Sequence, residues 1–568
     1  MMVEPFQNLH FSQSGKEMTV SNHPIVPLRR RLPDLAAEVR SLASKSFRSA
    51  PRWGRGALPV VAWAVAAILF GGIVGFAAII LPPTGTFGIV AVAGLILLWV
   101  TPDLPAVPLK SVRVLFFLVL VVDLCVPNYY AYQVGGLPWI SIRRLFTFCL
   151  IVVFAIVIAG SSEVRGRLSD SLSASKAITI GAIGYLITIF LSTFTSINFG
   201  ATLSGFMEVV LSWYVPLFVI IYVLRTEEDL FIFIRTLGWC ALFVALAGVP
   251  EFVFHHRFFL DVIPGSLRES LAENNPAFAM LVNSNPMRNG QYRASSLFAV
   301  SLSFAEFAAI VAPFGYALWA HGGKQSDRIL GFVIAVSCII AIFVSGSRGG
   351  YVSLLVATAA FIALYVARAW LLGRHSLVPA MGGVLFASAF ATVVLLISFW
   401  TRAHNMVLGG GAEQMSDDAR KIQWAMGWPH IVANPFTGHG FDNGGYVVGY
   451  FAPGSLIPSV DSGVLAMLVE TGAPSLFLFY LAIVGAILFG VREYLTDRSP
   501  RGAIAGGIAC AIVAFGVYRY VLTQRENYTL FFLFLGSIMI LARLKRDRTI
   551  EAAVGERGRR HAPVRTGS

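Results

Sequence analysis

Apolar runs long enough to cross a bilayer recur from Leu58 to Leu541. A spanning helix needs about 20 predominantly apolar residues, and about fourteen segments meet that measure. They begin near Leu58, Thr84, Val112, Leu145, Lys176, Leu203, Leu230, Leu297, Arg328, Tyr351, Val378, Ser462, Gly502 and Tyr528. Inside lipid only helices and closed barrels satisfy every backbone polar group. The alternating segments of about ten residues that a barrel needs are absent. The pattern therefore predicts an all-α, polytopic integral membrane protein with about 14 transmembrane helices.

Composition agrees. Of 568 residues, 56% are hydrophobic and 13% charged, against about 25% charged in soluble domains. The net charge of +13 does not indicate a nucleic-acid partner, because the basic residues sit at the termini and in alternate loops. With the amino terminus in the cytoplasm, Lys110, Arg113, Arg165, Arg167, Lys176, Arg225, Lys324, Arg328, Arg368, Arg374, Arg492, Arg498, Arg501 and the Arg543-to-Arg548 cluster all fall inside. That follows the positive-inside rule and puts both termini in the cytoplasm. The expected division is a basic cytoplasmic segment 1–57, a transmembrane domain 58–543 and a basic cytoplasmic tail 544–568. In the first segment Leu32, Leu35, Val39 and Leu42 recur at helical spacing among arginines, which suits a surface-lying amphipathic helix. A disordered segment is the alternative. No cleavable signal peptide is expected, since the first apolar run follows a long polar lead. The five cysteines lie in apolar segments without metal spacing and read as packing residues.

Most outer connections are then short. Two are long, near 254–295 and 401–460. Long loops are commonly functional, and the second carries Trp424, Trp428, Pro429, Pro435 and Phe436, which argues for order. Within it, 417–432 reads as a short helix with Ala419, Ile422, Ala425 and Met426 on one side.

The outer face holds arginines that topology does not call for: Arg288, Arg293, Arg348, Arg402, Arg420 and Arg525, with Lys421. Guanidinium groups match phosphate oxygens with paired hydrogen bonds. Arg348 is the strongest candidate. It lies in Ser345-Gly346-Ser347-Arg348-Gly349-Gly350, where small residues let a ligand approach. Arg293 borders a span in a Ser-Ser context. The plain alternative for each arginine is a salt bridge or headgroup anchor. Among carboxylates, Asp461 opens an apolar helix, where an N-cap is the simpler role. Glu470 follows about two and a half turns later, on the opposite face if the helix is regular. A carboxylate inside a span needs a partner or a cavity, and this applies to Glu470 and to Glu306; Glu251 sits near the outer end of a span. His439, between Gly438 and Gly440, lies in the second long loop. There is no Walker loop, H-E-x-x-H motif or nucleophile elbow, and no cofactor or metal is implied.

At this point the chain resembles the O-antigen ligase and polymerase superfamily, over roughly residues 250–475. Arg293-Ala294-Ser295-Ser296-Leu297-Phe298 is similar to the family's arginine-led entry to a span. Ser345-to-Gly350 is similar to its Ser-Arg-Gly hinge. Arg420, Trp424 and Asn434-Pro435-Phe436-Thr437-Gly438-His439-Gly440 resemble its long outer loop. Asp461-Ser462 followed by Glu470-Thr471-Gly472 resembles the closing motif. Ligases usually carry His-Asn at the first of these positions. Aspartate there departs from the ligase pattern and favours the polymerase branch.

The resemblance implies a polymerase of undecaprenyl-diphosphate-linked repeat units, making exopolysaccharide or O-antigen at the periplasmic face of the bacterial inner membrane. Transfer would need neither nucleotide sugar nor metal. Arg293, Arg348 and Arg420 would hold the diphosphate, with Asp461 as first candidate for general base and Glu470 as the second, or as the group orienting an arginine. Trp424, Trp428 and His439 would meet glycan. Partners would be the lipid-linked glycan, membrane lipid, a flippase and a chain-length regulator. The alternatives are a ligase moving finished glycan to lipid A core or protein, and a lipid-linked oligosaccharide flippase. A transporter should show related halves and midplane polar groups, which the chain does not display.

Overall fold

In the computed structural model the described residues are 109–560, apart from 128, 133–139, 275–277, 279–280, 283–285, 289, 373–376, 401–403, 405–413 and 453–456. They belong to the compact unit Leu81–Ser568. The amino-terminal segment 1–57, the spans expected near Leu58 and Thr84 and the end of the tail lie outside the described residues.

The helices, in chain order, are α1 (Leu109–Cys125), α2 (Ile142–Gly160), α3 (Ser162–Ala174), α4 (Lys176–Ser192), α5 (Phe199–Val209), α6 (Val215–Val223), α7 (Glu227–Phe254), α8 (Phe258–Asp261) and α9 (Gly265–Asn274). There follow α10 (Ser301–His321), α11 (Gln325–Ser345), α12 (Arg348–Leu372), α13 (Leu377–Phe399), α14 (Gln414–Ala433), α15 (Gly444–Val448), α16 (Gly463–Thr496), α17 (Pro500–Tyr518) and α18 (Tyr528–Arg560). Two hairpins of two-residue strands interrupt them, β1 (Ala131–Tyr132) with β2 (Ile140–Ser141) and β3 (Met287–Arg288) with β4 (Gln291–Tyr292). The protein is all-α. Ten helical segments among the described residues are long and apolar enough to cross a membrane, each at an expected span. The expected spans near Val112 and Val378 are α1, of 17 residues, and α13, of 23 residues without a charge.

The span expected near Leu203 is one run, Phe199–Val223, with a π-turn at Val210–Tyr214. Pro216 accounts for the irregularity. It has no N–H for the Ser212 carbonyl, and its ring crowds that carbonyl. The freed carbonyl takes the Thr529 hydroxyl at 2.9 Å instead, tying this span to α18.

The most buried helices are α10, α17 and the apolar half of α18. Helix α10 pairs closely with α11 because Gly315 and Gly331 face the contact. A Cβ on Gly315 would lie 2.8 Å from the Ala335 nitrogen, and one on Gly331 2.4 Å from the Trp319 nitrogen. Small residues are the usual way membrane helices approach. Outer helices turn Phe148, Phe343, Trp370 and Leu488 outward, as a lipid-facing surface requires.

The connections at one end of this bundle meet one another. Ile197 N–H donates to the His439 carbonyl, Gly463 N–H to Arg519 and the Thr523 hydroxyl to Val460. Beneath them Glu306 and Arg519 form an ion pair whose side chains are both 0% exposed. Arg519 also donates to the Gln524 carbonyl at 2.7 Å, and Asn527 to Glu306 at 2.9 Å and the Ser303 carbonyl at 2.9 Å. That network fixes the 519–527 connection. At the opposite end, basic residues pair with acidic ones: Arg113 with Asp229 at 2.6 Å, Arg235 with Asp327 at 2.9 Å and Arg501 with Glu493 at 3.2 Å.

Candidate active site at one end of the bundle

The site is built around a broken helix. Within α16, Gly472 has φ 80° and ψ 175°, and Pro474 follows two residues later without an N–H. The Glu470 carbonyl thus has no helical donor. The Ala473 N–H turns away to the Pro435 carbonyl at 2.8 Å, which frees the Val469 carbonyl too. The turn Asn434-to-Gly440 fills both vacancies: His439 N–H donates to Val469 at 2.9 Å and Gly440 N–H to Glu470 at 2.9 Å. The backbones approach so closely that side chains do not fit. A Cβ on Gly438 (φ +64°) would lie 2.4 Å from the Glu470 carbonyl, and one on Gly472 2.6 Å from that of Phe436.

The break directs the Glu470 carboxylate to a buried cluster. It accepts the Gly444 N–H at 3.2 Å and an Arg525 guanidinium N–H at 2.7 Å. Arg525 also donates to Asp442 at 2.9 Å and lies over the Phe441 ring, 3.9 Å from its centre. Burial opposes the charge on Arg525, but Glu470 and Asp442 outweigh it and raise its pKa above the ordinary arginine value. Asp442 itself has φ 70°, a left-handed conformation that aspartate tolerates better than most residues. A small pocket here is lined by Tyr185, Phe441, Met467, Glu470, Arg525 and Tyr528.

Close by in the chain's fold is the arginine hinge. Gly346, with φ +57°, ends α11, and Arg348 begins α12. Arg293 comes to the same hinge: its Nε donates to the Ser345 carbonyl at 3.2 Å, and its side chain lies against Gly346. Glu251, 1% exposed, holds the segment that carries Arg293. It accepts Ser295 N–H at 3.0 Å, Ser296 N–H at 2.6 Å and the Tyr292 hydroxyl at 3.3 Å. Burial and the Glu251 carboxylate push the Tyr292 pKa up to about 12, so the phenol stays a donor. Across from the hinge, Asp417 on α14 accepts from Arg348 at 3.4 and 3.5 Å and from Arg420 at 2.9 Å.

Asp461 lies just outside α16. The N-cap is Ser462, whose Oγ accepts the Leu465 N–H at 3.4 Å, so Asp461 does not have the capping role. It is half-buried, and its backbone N–H donates to the Gln423 side chain at 2.9 Å. Helix α14 therefore joins the arginines to Asp461. Its Trp424 packs against the cluster of Ile431, Val448, Val460, Leu465 and Val469, while Trp428 is exposed. His439 is engaged by its own loop, with Nε2 2.9 Å from the His430 carbonyl and Nδ1 3.4 Å from the Asn434 amide.

Arg293, Arg348 and Arg420 are thus brought to one hinge, with Asp461 joined to them through α14. Glu470 and His439 belong to the broken-helix side, around Arg525. Several residues of the assembly, Asp442 among them, were not selected from sequence. Arg525 stood among the outer arginines with nothing to separate it. Asp417 read as the acidic start of a helix, Glu251 as a carboxylate near a span end, and Gln423 carried no signal. Their roles depend on partners from distant parts of the chain.

Residues 333–480 match the family model described as O-antigen ligase. The stretch holds Arg348, Arg420, Trp424, His439, Asp461 and Glu470. No curated protein matches the chain. In agreement with the O-antigen ligase/polymerase superfamily, this multi-pass membrane protein carries, over residues 333–480, a domain of the O-antigen ligase family, whose members are glycosyltransferase-like enzymes acting on lipid-linked glycans.

Proposed function

We propose that the protein polymerises undecaprenyl-diphosphate-linked oligosaccharide repeats into exopolysaccharide or O-antigen. The reaction takes place at the periplasmic face of the inner membrane, with both termini in the cytoplasm. The observation that carries the reading is the gathering of Arg293, Arg348 and Arg420 from three separate segments at one small-residue hinge, joined by α14 to Asp461.

The donor is a growing glycan on undecaprenyl diphosphate, and the acceptor is the terminal sugar hydroxyl of another lipid-linked repeat. The acceptor oxygen forms a bond to the anomeric carbon. The bond from that carbon to the diphosphate oxygen breaks, and its electron pair leaves on the lipid diphosphate. Asp461 takes the hydroxyl proton. A placed general base contributes ~10²–10⁴-fold in rate. The arginines stabilise the charge that develops on the leaving diphosphate, and they act best because they are already in place. The step needs no metal. Glu470 orients Arg525, and His439 holds the turn that closes the break in α16. Trp428 offers its exposed ring to glycan, while Trp424 seats α14. A flippase supplies the repeats and a chain-length regulator acts on the product.

The ligase reading has one observation in its favour, the description of the matching family. Asp461, where ligases carry histidine, favours the polymerase. Extraction of lipid-linked intermediates from cells carrying Asp461→Asn separates the readings. Single repeats on the outer-leaflet carrier are expected. Long chains on the carrier would move the assignment to a ligase. Repeats trapped on the inner leaflet would move it to a flippase.

A further inference from the structure

Helix α14 touches the arginine hinge and Asp461 with one face. Asp417, Arg420, Gln423, Trp424 and Gly427 recur at helical spacing along it. Two guanidinium groups from different elements converge on the Asp417 carboxylate. Arg348 reaches it with both terminal nitrogens, at 3.4 and 3.5 Å, and Arg420 with one at 2.9 Å. All three side chains are half-buried. The long Arg348 contacts and partial exposure are those of an exchangeable pair. Carboxylates and phosphates use the same planar fork of arginine, so Asp417 and a phosphate cannot hold that face of Arg348 together.

About one and a half turns along α14, Gln423 is 0% exposed. Its Oε1 accepts the Asp461 N–H at 2.9 Å, and its Nε2 has no hydrogen-bond partner among the described residues. The Asp461 N–H needs an acceptor, which fixes the orientation of the amide. The same helix thus carries the contact to Arg348 in its first turn and the contact to Asp461 further along.

We propose that Asp417 is a positioning residue that serves as a placeholder anion. It holds Arg348 and Arg420 in the empty protein and yields them to the diphosphate of the lipid-linked donor. The exchange releases the first turn of α14 from the hinge. Because Gln423 rides on the same helix, the release also resets Asp461. The base is thereby matched to an occupied donor site, which limits attack by water. This inference rests on the reading of Arg348 as a phosphate ligand.

The test uses the full chain in nanodiscs, with inorganic pyrophosphate in magnesium-free buffer as the probe and calorimetry as the readout. Asp417→Asn keeps the side-chain shape and removes the competing charge. Asp417→Ser is the second variant. Pyrophosphate should bind each well-folded Asp417 variant about 1.5- to fivefold more tightly than wild type, the scale of a partly exposed ion pair. The same variants should lower KM for the lipid-linked donor, which a merely structural role would not do. Arg348→Ala should lose pyrophosphate binding. Unchanged or weaker binding in the Asp417 variants, with Arg348→Ala still deficient, overturns the placeholder and leaves the diphosphate reading intact. Misfolding of both Asp417 variants overturns it equally, since the cluster is then structural. Binding that survives Arg348→Ala, or is absent from every form, overturns the reading of Arg348 and the placeholder with it.

Discussion

Arg525 holds two carboxylates with one guanidinium, and one of them, Glu470, is almost fully buried. Removing one member of such a pair leaves an unpaired buried charge. Arg525→Ala should therefore cost about 1–3 kcal/mol, below the full buried-pair penalty because Arg525 is partly exposed. A lower melting temperature in detergent checks this; an unchanged one would make the pair incidental. Arg348 should behave differently. Arg348→Ala should abolish polymer at normal membrane abundance, and Arg348→Lys should restore little, because the ammonium lacks the planar fork. Full polymer from well-expressed Arg348→Ala would reduce the residue to a packing element. Asp461→Asn should lower polymer yield by ~10²-fold or more if Asp461 is the base. Arg348 and Asp461 could be singled out from sequence, the first as a cation expected on the outer face among small residues and the second as a carboxylate at the start of an apolar helix. Asp417 and Gln423 could not, because each is ordinary on its own helix and gains meaning from Arg348 and Asp461.

At the scale of elements, the break in α16 makes the clearest prediction. Gly472→Ala forces a side chain into a left-handed backbone and against the Phe436 carbonyl, 2.6 Å away. Positive φ alone costs a non-glycine residue roughly 1–3 kcal/mol, and the clash adds to it. The variant should melt lower and lose polymer together, whereas Gly449→Ala, with open space around its Cβ position, should bear only the conformational cost. Equal effects from the two would argue against docking of the Asn-Pro turn on the break. Helix α14 was expected over 417–432 and runs Gln414–Ala433, because its apolar positions and flanking polar residues are strong local signals. The relation of Asp461 to Glu470 was not readable in that way. A regular helix places them on opposite faces, but Asp461 precedes α16, and Glu470 sits at a kink.

For the whole molecule, the decisive expectation is sidedness. Single cysteines at Gly410 and Gly555, in a background without reactive native thiols, should label differently. An impermeant maleimide should reach Gly410 in intact spheroplasts and not Gly555. The opposite result would overturn the periplasmic site. Glu306→Gln should destabilise the protein by about 3–5 kcal/mol, because it leaves Arg519 charged and fully buried. An unchanged melting temperature would show that water enters the 519–527 connection.

The sequence by itself determined the all-α membrane class, the positions of the spans among the described residues and the order of the motifs. These follow from the length and polarity of local runs, since lipid admits few alternatives to a helix. It also singled out the hinge arginine and the residues of the broken-helix motif. Only the tertiary structure decided which groups meet. Arg293 reaches Ser345 and Asp417 reaches Arg348, and Glu470 is held by Arg525. A pattern along the chain says where a side chain leaves its helix. It does not say which partner from elsewhere the packing brings against it, and for buried charges that partner sets the chemistry.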